Sequence, residues 1–264
     1  MSKNLKLFLL VFTLSLGTHL PSWSQQTSTP NGPPNLPGQI AIGTGFIVAE
    51  GYLLTAMHIV RDRESIWVGP IDGKRWVKAE LVKSDNLMDL ALLSTKVSAP
   101  ALVFAPWSEV PIGLEVTTIG FPQPKLQGLS KKITQGLVNG NRSDRNESFD
   151  AGFFQFSAES QVGNSGGPVL SPDGLVVGMV QKKLNALDVA ERTHDLPVNV
   201  SYALKSAEIL EFLKDTPVQA KVKSLSLNTY IRPYQLFQQK QNSIFAVAAR
   251  KSAPPTAPPE AASK

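Results

Sequence analysis

After residue 38 the chain is a succession of short apolar runs, each closed by glycine, proline or a polar cluster. Runs this brief do not make core helices, and their ends carry turn chemistry, so they read as β-strands. The segments are Ile40–Val48, Gly51–Leu54, Ser65–Val68, Arg75–Val82, Asp89–Leu93, Val116–Ile119, Lys132–Val138, Gly152–Phe156, Pro168–Leu170, Leu175–Gln181 and Val198–Ala203. Between two of them, Ser171-Pro172-Asp173-Gly174 is a turn with a mechanism: proline presets φ and glycine accepts φ > 0. One helix closes the series. Ser206 stands where a side-chain cap is wanted, Ile209, Leu210 and Leu213 share a face, and Pro217 marks its end. Many short strands with turn signals imply a barrel or a sandwich.

Such a fold must rest on its core, because the 264 residues are 42% hydrophobic and include no cysteine. The N-terminus carries export features. Lys3 and Lys6 precede the apolar stretch Leu7–Leu16, and Ser22 and Ser24 give a small-x-small pattern before Gln25. Residues 1–24 therefore read as a signal peptide, with an uncleaved anchor as the alternative; either one exports the domain. An exported domain without cysteine fits a bacterial periplasm or a secreted bacterial protein. Residues 25–38 are rich in Pro, Ser, Thr, Asn and Gly and read as a flexible linker. The domain is then expected over 39–216, and a basic, Pro/Ala-rich tail over 217–264.

The formal net charge of +5 is not spread evenly. Residues 217–264 hold seven basic residues and one acid, Glu260, whereas 25–216 has a small acidic excess. A nucleic-acid-binding body is excluded on that ground. An envelope or protein partner, if there is one, belongs to the tail. No His/Asp/Glu cluster has metal-ligand spacing, and no phosphate loop or dinucleotide fingerprint occurs, so no cofactor or metal is expected.

The chemistry concentrates in Gly163-Asn164-Ser165-Gly166-Gly167-Pro168. A serine nucleophile needs an exposed Oγ beside backbone N–H groups that face a developing oxyanion. Gly163 permits the tight turn that points its own N–H and that of Ser165 the same way, and the later glycines leave room for substrate backbone. A glycine-rich turn with an incidental serine is the bland reading. The second signal is Thr55-Ala56-Met57-His58, directly after a strand; imidazole is the usual general base near neutrality. His194 lies in a polar stretch and reads as a surface residue. The third is Asp89, an acid opening the apolar run Leu90-Ala91-Leu92-Leu93, where a carboxylate needs a partner. A strand-end cap or a salt bridge would also explain it, and Asp85 is a nearby competitor in a polar turn.

In this order His58, Asp89 and Ser165 resemble the triad of chymotrypsin-type serine proteases. Gly43-Thr44-Gly45-Phe46-Ile47-Val48, Gly51-Tyr52-Leu53-Leu54-Thr55-Ala56-Met57-His58-Ile59-Val60, Asp89-Leu90-Ala91-Leu92-Leu93, Ile119-Gly120-Phe121-Pro122 and Ile133-Thr134-Gln135-Gly136-Leu137-Val138 are similar to the HtrA/Deg branch. The resemblance covers about residues 40–216. It implies an all-β fold of two packed antiparallel six-stranded barrels with a C-terminal helix, and a triad in the cleft between them. It further implies a serine endopeptidase acting on polypeptide substrates through an acyl-enzyme, with Gly163 and Ser165 as the oxyanion hole. Two departures stand out. The residues after Thr216 are too few for the PDZ domain such enzymes usually carry, so none is expected. Asn164 occupies the place of the aspartate that animal trypsins pair with a freshly cut N-terminus, so activation by propeptide cleavage is not expected.

For specificity, Glu159, Gln181, Lys182 and Lys183 are the candidate substrate-binding residues. A carboxylate at Glu159 would favour Arg or Lys by charge pairing. The HtrA/Deg resemblance implies small or medium apolar side chains instead, and the reading leans that way. An inactive binding module on the same fold is the alternative to an enzyme, and the oligomeric state is left open.

Overall fold

The computed structural model describes residues 40–71, 75–141, 152–181 and 200–250. The signal and linker segments, Lys182, Lys183, His194 and residues 251–264 lie outside them. The strands are β1 Ile40–Ala49, β2 Tyr52–Ala56, β3 Ser65–Ile71, β4 Arg75–Asp85, β5 Leu90–Thr95, β6 Glu115–Gly120, β7 Lys132–Asn141, β8 Phe153–Phe156, β9 Pro168–Leu170, β10 Val176–Val180, β11 Ser201–Lys205 and β12 Ile244–Arg250. They form two closed six-stranded barrels, ordered β1-β12-β3-β4-β5-β2 and β10-β11-β8-β7-β6-β9. Every pairing between these strands is antiparallel. The double-barrel, all-β expectation is met.

Each barrel encloses its own core, and a third core fills the seam. Ile47, Leu53, Leu93 and Val247 pack inside the first barrel. Phe154, Phe156, Val169 and Val177 pack inside the second. Phe46, Leu54 and Leu92 from the first barrel meet Phe121, Val176 and Met179 from the second, together with the helix Ser206–Leu213. Strands buried on both faces read as continuous apolar runs, which is why β1, β2 and β5 show no polar alternation. Closure also leaves no open sheet edge for other chains to pair with. The turn after β9 forms as expected: Gly174 has φ +82 and its N–H bonds to the Ser171 carbonyl at 2.9 Å.

Three local expectations are corrected. The boundary after Thr216 falls inside the fold. The chain continues through the helix Pro233–Lys240, whose Leu236 is buried, into β12, which pairs with both β1 and β3 and completes the first barrel. The physical reason is the composition of Ile244-Phe245-Ala246-Val247-Ala248-Ala249: small or apolar throughout and buried throughout. Ser206 does not cap its helix; its hydroxyl is fully buried and donates to the Ala105 carbonyl at 2.8 Å. β5 begins at Leu90 rather than Asp89, because Asp89 turns into the left-handed region at φ +53. Aspartate is one of the few residues that tolerates that conformation.

Candidate active site

His58 stands on a single helical turn, Met57–Val60, at the end of β2. The turn is fixed from the neighbouring strand by Asp89, which immediately precedes β5. The Met57 N–H donates to the Asp89 carbonyl at 3.0 Å. The His58 N–H donates to Asp89 Oδ1 at 2.7 Å, and His58 Nδ1 lies 2.6 Å from Asp89 Oδ2. Asp89 thus binds the histidine's backbone and ring with different oxygens. Both side chains are partly exposed, 34% for His58 and 21% for Asp89, so the imidazole is reachable from solvent. Asp85 is engaged elsewhere: its Oδ1 accepts the N–H groups of Leu87 and Met88 at 2.8 and 2.9 Å. That carboxylate shapes the turn that delivers Asp89.

Ser165 belongs to the second barrel's loop before β9, and that loop is clasped to the first barrel by one residue. Thr44 in β1 donates its N–H to the Ser165 carbonyl at 2.9 Å and its hydroxyl to the Gly163 carbonyl at 2.6 Å. The same hydroxyl accepts the Phe121 N–H at 3.2 Å, and the Thr44 carbonyl accepts the Thr55 hydroxyl at 2.7 Å. The Gly166 N–H returns to the Val180 carbonyl at 2.8 Å. Gly163 adopts φ +105, and a Cβ there would sit 2.2 Å from the Phe121 carbonyl oxygen. Only glycine fits the position.

Two peptide planes in this loop are held by their carbonyl ends. The Val162 carbonyl accepts the Gln123 N–H at 2.6 Å, and the Asn164 carbonyl accepts the Gly167 N–H at 2.9 Å. A trans peptide is planar, with its N–H opposed to its C=O, so these bonds also fix where the N–H groups of Gly163 and Ser165 point. Among the described residues, neither N–H has an acceptor. The loop therefore presents two oriented donors next to a nearly buried serine, 8% exposed. That arrangement suits an oxyanion.

The structure brings His58 and Asp89 into contact and ties the Ser165 loop to β1, which pairs with β2. The candidate substrate-binding residues are placed differently from one another. Glu159 is exposed, its carboxylate accepts from Gln161 Nε2 at 2.6 Å, and its carbonyl accepts the Thr134 hydroxyl at 2.8 Å. Gln181 is buried, and its Nε2 donates to the Met88 carbonyl at 3.3 Å, next to Asp89. Lys182 and Lys183 lie outside the described residues. Sequence reasoning gave Thr44 and Gln123 no role. Thr44 sits in the Gly43-Thr44-Gly45 motif, whose glycines signal close backbone approach, and that was the available clue.

Two closed antiparallel barrels, with a His–Asp pair on one and a glycine-framed serine loop on the other, define the double-barrel class of serine hydrolase folds. The family described as a trypsin-like peptidase domain matches residues 43–179, and the chain belongs to that family; within it the chain is similar to HtrA/Deg-type proteins. It is 36% identical over 172 residues to the serine protease Do-like HtrA of Bacillus subtilis, covering 60% of this chain and 37% of that protein. Over 141 residues it is 33% identical to a Halomonas elongata protein named "Probable periplasmic serine endoprotease DegP-like", covering 53% of this chain and 29% of that one. The solved structure of the serine endoprotease from Yersinia pestis aligns with TM-score 0.51 at 28% identity, over 65% of this chain and 56% of that one. The chain spans about a third of the length of these two curated relatives.

Proposed function

We propose that this protein is an exported serine endopeptidase in which Ser165 is the nucleophile, His58 the general base and Asp89 the group that orients and charge-stabilises the imidazole. The observation that carries the reading is the double grip of Asp89 on His58, on the same barrel to which Thr44 clasps the Ser165 loop. His58 Nε2 takes the Ser165 Oγ proton as Oγ attacks the substrate carbonyl carbon. The oxyanion forms between the Gly163 and Ser165 N–H groups. The imidazolium then gives its proton to the leaving amine, and an acyl ester remains on Ser165. Water, deprotonated by His58, hydrolyses that ester and restores the serine.

Export rests on residues 1–24, and the DegP-like relative's name supports a periplasmic destination. The peptidase domain runs to residue 250 rather than 216, given β12. The primary preference is for small or medium apolar side chains. The outward, Gln161-bonded carboxylate of Glu159 supports this over a basic preference. In a peptide-library profile, cleavage after Arg or Lys that disappears in Glu159→Ala overturns it.

Labelling with a fluorophosphonate probe tests the central reading. The unsubstituted chain should label and Ser165→Ala should not, with peptidase activity lost in parallel. Labelling that survives the substitution removes Ser165 from the role. A folded chain that neither labels nor cleaves favours the inactive binding module.

A further inference from the structure

A groove opens at the end of β5 opposite to Asp89. β5 carries six residues between Asp89 and Lys96, so the groove lies roughly 20 Å from the His58–Asp89 pair. Its walls come from both barrels: Arg75 and Val77 of β4, Lys96 after β5, Phe245 of β12, and Lys131, which precedes β7. Among the described residues lining it, three are basic and none is acidic. This contrasts with the acidic excess of residues 25–216 as a whole.

Lys131 is the informative member. Its Nζ stands 5.6 Å from the centroid of the Phe245 ring, and burial pushes its ammonium below the usual lysine range. Among the described residues no carboxylate pairs with it. A cation held partly out of water against an aromatic face, with no counter-charge, is costly to the free protein. An anion arriving in the groove offsets that cost, and Lys96, exposed beside it, adds long-range attraction. The walls are not wholly polar, because Val77 and Pro100 keep accessible apolar surface. A bare polyphosphate backbone has no use for such walls; a polypeptide carrying carboxylates and apolar side chains uses both.

We propose that this groove is an exosite for an acidic, partly apolar polypeptide segment, centred on Lys131 and Lys96 and separate from the cleft that holds His58 and Ser165. That the segment belongs to a substrate rests on the peptidase reading; binding to the groove does not.

The test is fluorescence anisotropy on the full chain carrying Ser165→Ala, so that no turnover intervenes, with a short fluorescein-labelled peptide alternating Glu and Leu. Lys131→Gln should weaken binding roughly tenfold, as expected for a partly desolvated charge pair. Lys96→Gln should add a smaller loss that salt abolishes. Lys131→Arg should retain binding. Unchanged affinity in the Lys96→Gln/Lys131→Gln double variant overturns the proposal, as does equal binding of the peptide with Gln in place of Glu. Displacement of the label by single-stranded DNA or anionic lipid vesicles, but not by unlabelled acidic peptide, overturns it in favour of those partners. Fluorophosphonate labelling of the unsubstituted chain reports on the peptidase reading alone, so either idea can fail without the other.

Discussion

Asp89 holds His58 by two different oxygens, Oδ2 to the ring Nδ1 at 2.6 Å and Oδ1 to the backbone N–H at 2.7 Å. The backbone group can only donate. In Asp89→Asn it therefore selects the amide oxygen for itself and turns the amide nitrogen toward Nδ1. An NH₂ facing Nδ1 pushes the imidazole proton to Nε2, where it blocks removal of the serine proton. The expected loss in kcat is about 10³–10⁴, with the circular dichroism spectrum unchanged. A loss below tenfold would show that Asp89 does not set the tautomer.

Asp85→Asn should behave differently. Its Oδ1 accepts two backbone N–H groups in a turn, and an asparagine oxygen can do the same. Activity is expected to stay within about threefold of the parent, since turns accept Asn and Asp alike. A loss as large as that of Asp89→Asn would transfer the orienting role to Asp85.

Gly163→Ala meets two obstacles at once. The backbone sits at φ +105, and the added methyl would lie 2.2 Å from the Phe121 carbonyl oxygen. Relief requires turning the peptide that carries the Gly163 N–H. One oxyanion donor is then lost, which lowers kcat by about 10²–10³. KM should change much less, because the donor meets full charge only in the transition state.

Thr44→Val keeps the shape of the clasp and removes its hydroxyl, leaving the buried Gly163 carbonyl and the Phe121 N–H without their partner. The cost in stability is about 1–3 kcal/mol for buried groups left unpaired. A second readout separates positioning from bulk stability: kcat on a short substrate should fall well below the folding midpoint while KM holds. Lowered stability with full kcat would make Thr44 a purely structural residue.

Much of this was legible from the sequence. The short runs gave nearly every strand, and the glycine-framed serine, the histidine after β2 and the acid before β5 marked the candidate site. What escaped was non-local. Ser206 looked like a cap because capping is a local pattern, yet its partner, Ala105, lies far back in the chain. The side chain of Gln181 bonds Met88, and the backbone of Glu159 is held by Thr134, pairs that no local window brings together. β12 was the largest omission. Ala246, Ala248 and Ala249 have weak strand preference, and the segment follows a glutamine-rich helix. Its strand character comes from filling a slot between β1 and β3.

That slot has a definite place in the chain's logic. In the second barrel, strands taken in chain order close as first, second, third, sixth, fifth, fourth and back to first. The first barrel closes in the same order only if β12 is counted ahead of β1. The last strand of the described residues thus stands where chain order would put the first one. Ending the chain after Ser243 should abolish folding. Losing buried Ile244, Phe245 and Val247 together, at about 2–5 kcal/mol each, is as large as the whole stability of an ordinary domain. Ending it after Arg250 should leave fluorophosphonate labelling unchanged. The register also predicts a variant that works: Arg250 lies opposite Ile40 in an antiparallel pair, so a two-residue Asn-Gly turn can join them. A permuted chain that starts at Ile244, passes through this turn into β1 and ends at Ser243 should fold and label like the parent. If the permuted chain stays unfolded while the chain ended after Ser243 folds and labels, β12 is an appendage and the first barrel is complete without it.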